Sequence, residues 1–288
     1  SRLGWLLSGG ISLLAAAAAI AGAIYYSNLT RDLPPVGALA ALVEAPDSPF
    51  RQPTRLYDRS GDHLLLSLEN PAASGRSYLF VEAGAPGAKL QHSEDELFSR
   101  SLVNATLAAS DPDCLSGLGY LWLELLPFTQ PSLAQTLVSN LLFESEPPGL
   151  RRELRERLLA AQLISTYGRE KIVEWHLNSA AYGSLAYGAD AAPRVYFGKP
   201  ASTLSLSEAA LLAATAQEPG SNPQTAPEAA SYRRQVILKD MAARGWITPA
   251  QAGQAWGKLP AIQPAQPEAP NPAPAYTRLV LAQLEDLL

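Results

Sequence analysis

An uncharged apolar run opens the chain. From Leu3 to Tyr26 the sequence is rich in Ala, Leu, Ile and Gly, and about 20 apolar residues suffice to cross the hydrocarbon core of a bilayer. A cleaved signal peptide has a shorter apolar stretch, and a buried helix is the other alternative. We predict a transmembrane anchor over residues 1–26, with Tyr25 and Tyr26 at the membrane interface.

The pattern then changes to a connector followed by short strands. Residues 27–52 contain Pro and Ala without a regular period and are interpreted as a connector. Thr54–Tyr57 and His63–Leu68 flank a turn-rich segment, which is typical of a β-hairpin. Ser77–Val81 is a candidate third strand. A small β element is therefore expected over residues 53–92.

From about Ser93 onward the pattern becomes helical. Leu150, Leu154, Leu158 and Ala161 recur at helical spacing and predict an apolar helix face, with Gly168 suited to the helix end. The later signals are a capping box at Ser205 and Glu208, Pro227 ahead of a helix running to Arg244, and a further start at Thr248 and Pro249. These signals predict a mainly α domain over residues 93–258.

The end of the chain divides into a linker and a helical segment. Residues 259–275 are Pro-rich, as in an extended linker. Residues 276–288 have helical character. No Ser-x-x-Lys tetrapeptide occurs in the sequence.

Composition narrows the function classes. The 288 residues suffice for one large domain with accessories, and the net charge of −5 provides no basic footprint for nucleic acid. Cys114 is the only cysteine, and His63, His92 and His176 lack ligand-like spacing. A metal held mainly by Cys or His is therefore not expected.

The segment between Asn178 and Lys199 is dense in Gly and Tyr. Glycines at this frequency indicate tight turns or close packing, and tyrosines add an apolar ring with a polar tip. Both a cleft wall and a packed helical core fit this composition. The residues are Gly183, Gly188 and Gly198, with Tyr182, Tyr187 and Tyr196.

The same segment resembles a known family. Its pattern L-N-x-x-x-Y-G-x-x-x-Y-G-x-x-A-A-x-x-Y-F-G-K is similar to the late motifs of the peptidoglycan glycosyltransferase domain of class A penicillin-binding proteins (glycosyltransferase family 51). The resemblance continues through Ser205–Ala216 and reaches from about Pro53 to the end of the chain. It implies a lysozyme-like, mainly α domain with a small N-terminal β element, preceded by one transmembrane helix.

The resemblance also implies a reaction and two carboxylates. Family members polymerise lipid II and release undecaprenyl pyrophosphate. Glu94, in S-E-D-E-L-F, matches the general base of the E-D-x-x-F motif, and Glu156, in R-E-L-R-E, matches the second glutamate. Without the resemblance, Glu94 would be a solvated helix start, and Arg152 and Glu156 an exposed i,i+4 pair.

Further site residues follow from the same match. Substrate binding is expected from Asp95, Ser132, Gln135, Asn140, Arg152, Arg155, Tyr187 and Lys199. A divalent cation, Mg or Mn, is possible at the pyrophosphate. The apolar run Leu115–Phe128 fits either a membrane-dipping surface or a buried helix.

Several positions depart from the family pattern. Ser101 stands where the family has His, Val103 where it has Gly, and Glu153 where it has Lys. Arg151 or Arg155 could substitute for that lysine. The loop T-Q-P-S lacks the family's glycines, and Pro131 fixes φ and removes a hydrogen-bond donor.

Two interpretations remain open. The first is a peptidoglycan glycosyltransferase anchored by a single pass in the bacterial cytoplasmic membrane, with its domain outside, acting on lipid II and a growing glycan strand. The second is a catalytically degraded relative that serves as a structural or scaffolding subunit of a membrane complex. Residues 276–288 would begin a missing or absent C-terminal domain. An enzyme requires Glu94 and Glu156 to face each other across an open groove, and burial of either in an ion pair favours the second interpretation.

Overall fold

The structure, a computed structural model, is mainly helical. It describes residues 2–44, 48–82, 92–115, 131–265 and 274–287, without the side chains of residues 2–12, 14, 50, 221 and 284–287. The helices are α1 Arg2–Thr30, α2 Gly37–Val43, α3 Arg100–Ser110, α4 Leu133–Leu142, α5 Leu150–Tyr167, α6 Arg169–Ser179, α7 Ala191–Phe197, α8 Leu206–Gln217, α9 Pro227–Ala243, α10 Pro249–Gly257 and α11 Pro274–Leu287. Short 3₁₀ turns cover Pro49–Arg51, Pro71–Ala73, Glu94–Glu96, Ala201–Thr203 and Pro219–Ser221.

The predicted β-hairpin is present. Strand β1, Thr54–Tyr57, pairs antiparallel with β2, Leu64–Leu68. The turn between them is held by Asp58, whose carboxylate accepts from Ser60 Oγ and from the amide of Gly61. The expected third strand does not form, because only Phe80 of that segment pairs, in a single parallel bridge to Leu97.

One hydrophobic core surrounds α8. Every side chain of α8 from Ala209 to Thr215 is buried, and the helix packs against α3 and α9. Alanines at Ala209, Ala210, Ala213 and Ala214 leave room for these close neighbours. The buried helix thus forms the centre of the C-terminal half of the domain.

A second core joins α2, α4, α5 and α6. Trp175 of α6 is fully buried there, and its indole Nε1 donates to Glu44 Oε1 at 2.9 Å. A buried indole needs such an acceptor for its N–H. The bond ties the end of α2 to α6.

The buried face of α5 differs from the predicted one. Leu150 is 58% exposed, and the residues that enter the core are instead Leu159, Ala160, Leu163 and Ile164. The first half of the inward face holds charged side chains rather than leucines. Hydrophobic spacing alone could not locate a face whose buried positions are partly ionic.

The local start and stop signals are confirmed. Gly168, at φ +81°, ends α5 and begins α6. The capping box of Ser205 and Glu208 starts α8 as predicted, and Thr248 caps α10. Helix α9 begins at Pro227 and ends at Ala243, one residue before the predicted end.

A buried arginine connects three helices at the far end of the domain. Arg234 of α9 is completely buried and donates to Ser207 Oγ on α8 at 2.6 Å. It also donates to the carbonyls of Ala255, Trp256 and Lys258 at the end of α10. A cation there satisfies carbonyls that have no partner within the helix.

The predicted anchor and the apolar run fall partly outside the described residues. Residues 3–26 lie within α1. Of the part of the chain that the structure describes, no helix combines the length and apolar character that a membrane crossing requires. Residues 116–128 of the apolar run, and residues 266–273 of the Pro-rich linker, lie outside the described ranges.

Candidate functional site

A groove of about 960 Å³ lies between the two cores. Its volume is within the range of ligand-binding clefts. The walls come from the end of α3, one side of α4, the end of α6 and the end of α8. The described lining residues that carry polar side chains are Ser110, Thr136, Ser139, Asn140, Glu144, Arg152, His176, Ser179, Tyr187 and Gln217.

Glu156 is buried and fully engaged. The residue is 6% exposed, and it is not among the residues that line the groove. Its Oε1 accepts from Arg152 Nε at 2.8 Å, and its Oε2 accepts from Gln135 Nε2 at 3.3 Å. Both carboxylate oxygens are therefore bonded to protein donors.

Arg152 lines the groove but is held by protein acceptors. Besides Glu156, its Nη1 donates to the Glu146 carbonyl at 2.5 Å, and its Nη2 donates to Ser139 Oγ at 3.0 Å. The side chain is 19% exposed. The predicted cation is thus at the groove wall, and its charge is paired with Glu156.

The Glu146 carboxylate binds two further arginines of α5. Its Oε1 accepts from Arg151 and its Oε2 accepts from Arg155, each at 2.9 Å. Arg155 also donates to the Asp32 carbonyl at 2.6 Å and packs over the Phe143 ring. Arg155 is therefore buried behind the groove rather than exposed within it.

Glu94 and Asp95 lie away from the groove lining. They occupy the 3₁₀ turn Glu94–Glu96, where both side chains are exposed. Ser93 and Glu96 form a capping box around the turn. The described structure therefore does not set Glu94 and Glu156 against each other across the groove.

The start of α4 is already capped. Ser132 Oγ accepts from the Gln135 amide at 3.2 Å, and Asp111 Oδ2 accepts from the Leu133 amide at 2.9 Å. Helix N-termini attract anions because their amides lack partners. Here a carboxylate of the chain itself occupies that position, beside Pro131 in the groove wall.

Seven of these ten polar groove residues were not predicted as site residues, among them Ser110 and Glu144. Both are exposed. Ser110 is the last residue of α3, and no motif marks it. Glu144 follows α4 without any motif.

His176 lies in the groove wall as a neutral base. Burial lowers the pKa of His176 to about 4, because desolvation disfavours the imidazolium. Its Nε2 is buried and has no hydrogen-bond partner among the described residues. The imidazole therefore contributes no positive charge at neutral pH.

Lys199 faces a different cavity. Its Nζ donates to Glu208 Oε2 at 2.6 Å, which links the end of α7 to the start of α8. It lines a separate cavity of about 550 Å³ with Arg194 and Gln263. Asn140 and Tyr187, in contrast, lie with Arg152 on the main groove.

The divalent cation expected at the pyrophosphate stays a prediction. Across the described ranges, no group of three or more His, Cys, Asp or Glu residues could hold a metal. Glu156, the second of the two expected carboxylates, already accepts two hydrogen bonds.

Comparison with known proteins places this groove in a family context. Residues 131–242 match the transglycosylase family model. That segment runs from Pro131 to α9, so it contains three of the four groove walls, and Glu94 lies outside it.

Relatives share this part of the chain. Penicillin-binding protein 1A of Aquifex aeolicus is 44% identical over 128 residues, which cover 44% of this chain and 18% of that protein. Penicillin-binding protein 2a of Streptococcus pneumoniae is 31% identical over 183 residues, which cover 60% of this chain and 25% of that protein. Penicillin-binding protein 1A of Escherichia coli is 36% identical over 124 residues, which cover 43% of this chain and 14% of that protein.

A solved structure is also similar. The crystal structure of penicillin-binding protein 1A from Haemophilus influenzae matches with a TM-score of 0.40 and 18% identity, over 81% of this chain and 24% of that chain. This chain therefore spans about a quarter or less of each of these relatives. The sequence relationship is to a transglycosylase domain of penicillin-binding proteins.

Proposed function

We propose that this chain is a catalytically degraded transglycosylase-type domain that holds a glycan strand in its groove as a structural subunit of a membrane complex in peptidoglycan assembly. The observation that carries the proposal is the state of Glu156. It is buried in an ion pair with Arg152, and its second oxygen accepts from Gln135.

The chemistry of sugar transfer explains why this matters. A general base must come within about 3 Å of the hydroxyl whose proton it removes. Glu156 is outside the groove lining, and Glu94 is exposed on a turn that is also outside it.

A second candidate is an active peptidoglycan glycosyltransferase. It would polymerise lipid II and release undecaprenyl pyrophosphate, with Glu94 as base and Glu156 as the second carboxylate. The transglycosylase match and the open groove favour it. It requires Glu156 to leave its ion pair and Glu94 to reach the groove when substrate binds.

Both candidates place the domain at a membrane. The uncharged apolar sequence of residues 3–26 supports a single-pass anchor in the bacterial cytoplasmic membrane, with the main domain outside. Partition of the chain into the membrane fraction, resistant to carbonate extraction, tests this placement. Release by carbonate would argue against an anchor.

Polymerisation of lipid II separates the two functions. The purified chain in detergent is incubated with lipid II and Mg²⁺ or Mn²⁺, beside Escherichia coli penicillin-binding protein 1A as a positive control. We expect no glycan polymer from this chain. Polymer formed by the unmodified protein would refute the degraded function, and its loss in Glu94→Gln or Glu156→Gln would identify the carboxylate responsible.

A further inference from the structure

We infer that the groove recognises the uncharged sugar backbone of a glycan and excludes pyrophosphate. This inference rests on the proposed function and specifies which part of the glycan strand the groove binds. It follows from the charges and hydrogen-bond partners of the described residues that line the groove, beginning with its one arginine.

Arg152 is poorly placed to bind a free anion. Its three nitrogens donate to Glu156, to the Glu146 carbonyl and to Ser139 Oγ. A pyrophosphate would need these charge-assisted donors. It would also approach the carboxylate of Glu156, which already cancels the guanidinium charge.

The N-terminus of α4, the other place in the groove where an anion could bind, is also occupied. The start of α4 borders the groove at Leu133, and an exposed helix N-terminus would favour a phosphate. The Leu133 amide instead donates to Asp111 Oδ2 at 2.9 Å. A phosphate placed there would face the Asp111 carboxylate.

The cations that could substitute are held elsewhere. Arg151 and Arg155 both donate to Glu146, and neither lines the groove. Lys199 pairs with Glu208 at the separate cavity. Glu153, at the family's lysine position, instead accepts from Arg157.

Glu144 leaves the groove with a negative charge. It lines the groove, is exposed, and has no hydrogen-bond or ion-pair partner among the described residues. Since Arg152 is neutralised by Glu156 and His176 is neutral, Glu144 is the uncompensated charge of the described lining. Like charges repel at this range, so a pyrophosphate is disfavoured.

The uncharged groups of the same walls suit a sugar. Ser110, Thr136 and Asn140 present hydroxyl and amide groups with no side-chain partner among the described residues. Tyr187 lines the groove with 43% of its surface exposed. Its ring can pack against the apolar face of a sugar while neutral groups bond hydroxyl and acetamido substituents.

Calorimetric titration of the full chain in detergent tests this ligand class with two probes, N-acetylchitotetraose and inorganic pyrophosphate. We expect saturable binding of the tetrasaccharide and none of pyrophosphate. Tyr187→Ala should weaken tetrasaccharide binding by about tenfold, which corresponds to the loss of one aromatic contact.

Charge reversal provides the matched comparison. Glu144→Lys should create pyrophosphate binding, whereas Glu228→Lys should not, because Glu228 is an exposed glutamate outside this groove. Circular dichroism confirms the fold of each variant. Saturable pyrophosphate binding by the unmodified chain, or failure of the tetrasaccharide to bind, would overturn the inference.

The result is independent of the polymerisation assay. A chain that binds tetrasaccharide and also polymerises lipid II would contradict the proposed loss of catalysis and leave the ligand class intact. A chain that binds only pyrophosphate without polymerising lipid II would contradict the ligand class and leave the proposed loss of catalysis intact.

Discussion

Arg152 and Glu156, one turn apart on α5, form an ion pair at the wall of the groove. Nε and Oε1 are 2.8 Å apart, and the side chains are only 19% and 8% exposed. An i,i+4 pair on an exposed helix contributes little. Because this pair is buried, removal of either side chain would leave the other as an unpaired buried charge, which destabilises the folded state.

Removal of Glu156 should therefore destabilise the domain. Glu156→Ala leaves the Arg152 guanidinium and the Gln135 amide without their acceptor, and we expect unfolding free energy to fall by about 3 kcal/mol. Urea denaturation in detergent measures the loss. Glu170→Ala, at an exposed glutamate of α6, should cost less than about 1 kcal/mol. Equal losses in the two variants would show that the pair does not support the fold.

Stability should depend on pH through His176. Its pKa is lowered by burial to about 4 in the folded state, from about 6.5 in an unfolded chain. The unfolded chain therefore binds the proton first, so stability is complete above pH 6.5 and declines as pH falls towards 4.

The substitution His176→Leu should flatten this decline between pH 7 and pH 4.5. His63→Gln serves as the comparison because His63 is 78% exposed. Denaturation midpoints at the two pH values check both variants. If His176→Leu kept the pH dependence of the unmodified chain, His176 would not be the source of the decline in stability.

Arg234 should be essential for the attachment of α10. Arg234→Met leaves the carbonyls at the end of that helix without donors, and we expect a loss of about 3 kcal/mol. Arg233→Met is the adjacent control, since its pair with Glu218 is partly solvent-exposed and should be worth less than about 1 kcal/mol. Limited proteolysis within residues 249–265 should increase only in the first variant. Similar resistance in both would refute this role.

Gly183 should not tolerate a side chain. Its φ is +75°, and an added Cβ would lie 2.7 Å from Asn222 Nδ2 and also collide with the Pro219 carbonyl. Gly183→Ala should cost at least about 2 kcal/mol from the left-handed backbone and the collision together. Gly220→Ala has open space around it and should change thermal stability little. A stable Gly183→Ala protein would show that this turn rearranges.

The sequence predicted local structure well where the cause is local. Ser205 and Glu208, and the start of α10 at Thr248, depend on partners within four residues. The inward face of α5 could not be found in this way, because its buried positions include Glu156 and Arg155, each of which also bonds to a residue on another segment.

The site was only partly predictable for a similar reason. Asn140, Arg152 and Tyr187 were expected at a site and do line one groove. Lys199 belongs to another cavity, and Glu94 to an exposed turn. The groove residue Glu144 follows a helix end with no repeating pattern, so only the packing of α4 against α5 brings it to the groove. The roles of all these residues stay predictions.

Glu146 affects the charge of the groove although it does not line it. One carboxylate and one carbonyl on a short loop bind three arginines of α5 from behind. The charges of Arg151 and Arg155 are thereby held outside the groove lining, whereas Arg152 stays at the groove wall, paired with Glu156. An evolutionary change of the Glu146 side chain would remove the carboxylate that Arg151 and Arg155 share, so a groove suited to neutral sugars and one suited to phosphates are separated by a short mutational distance.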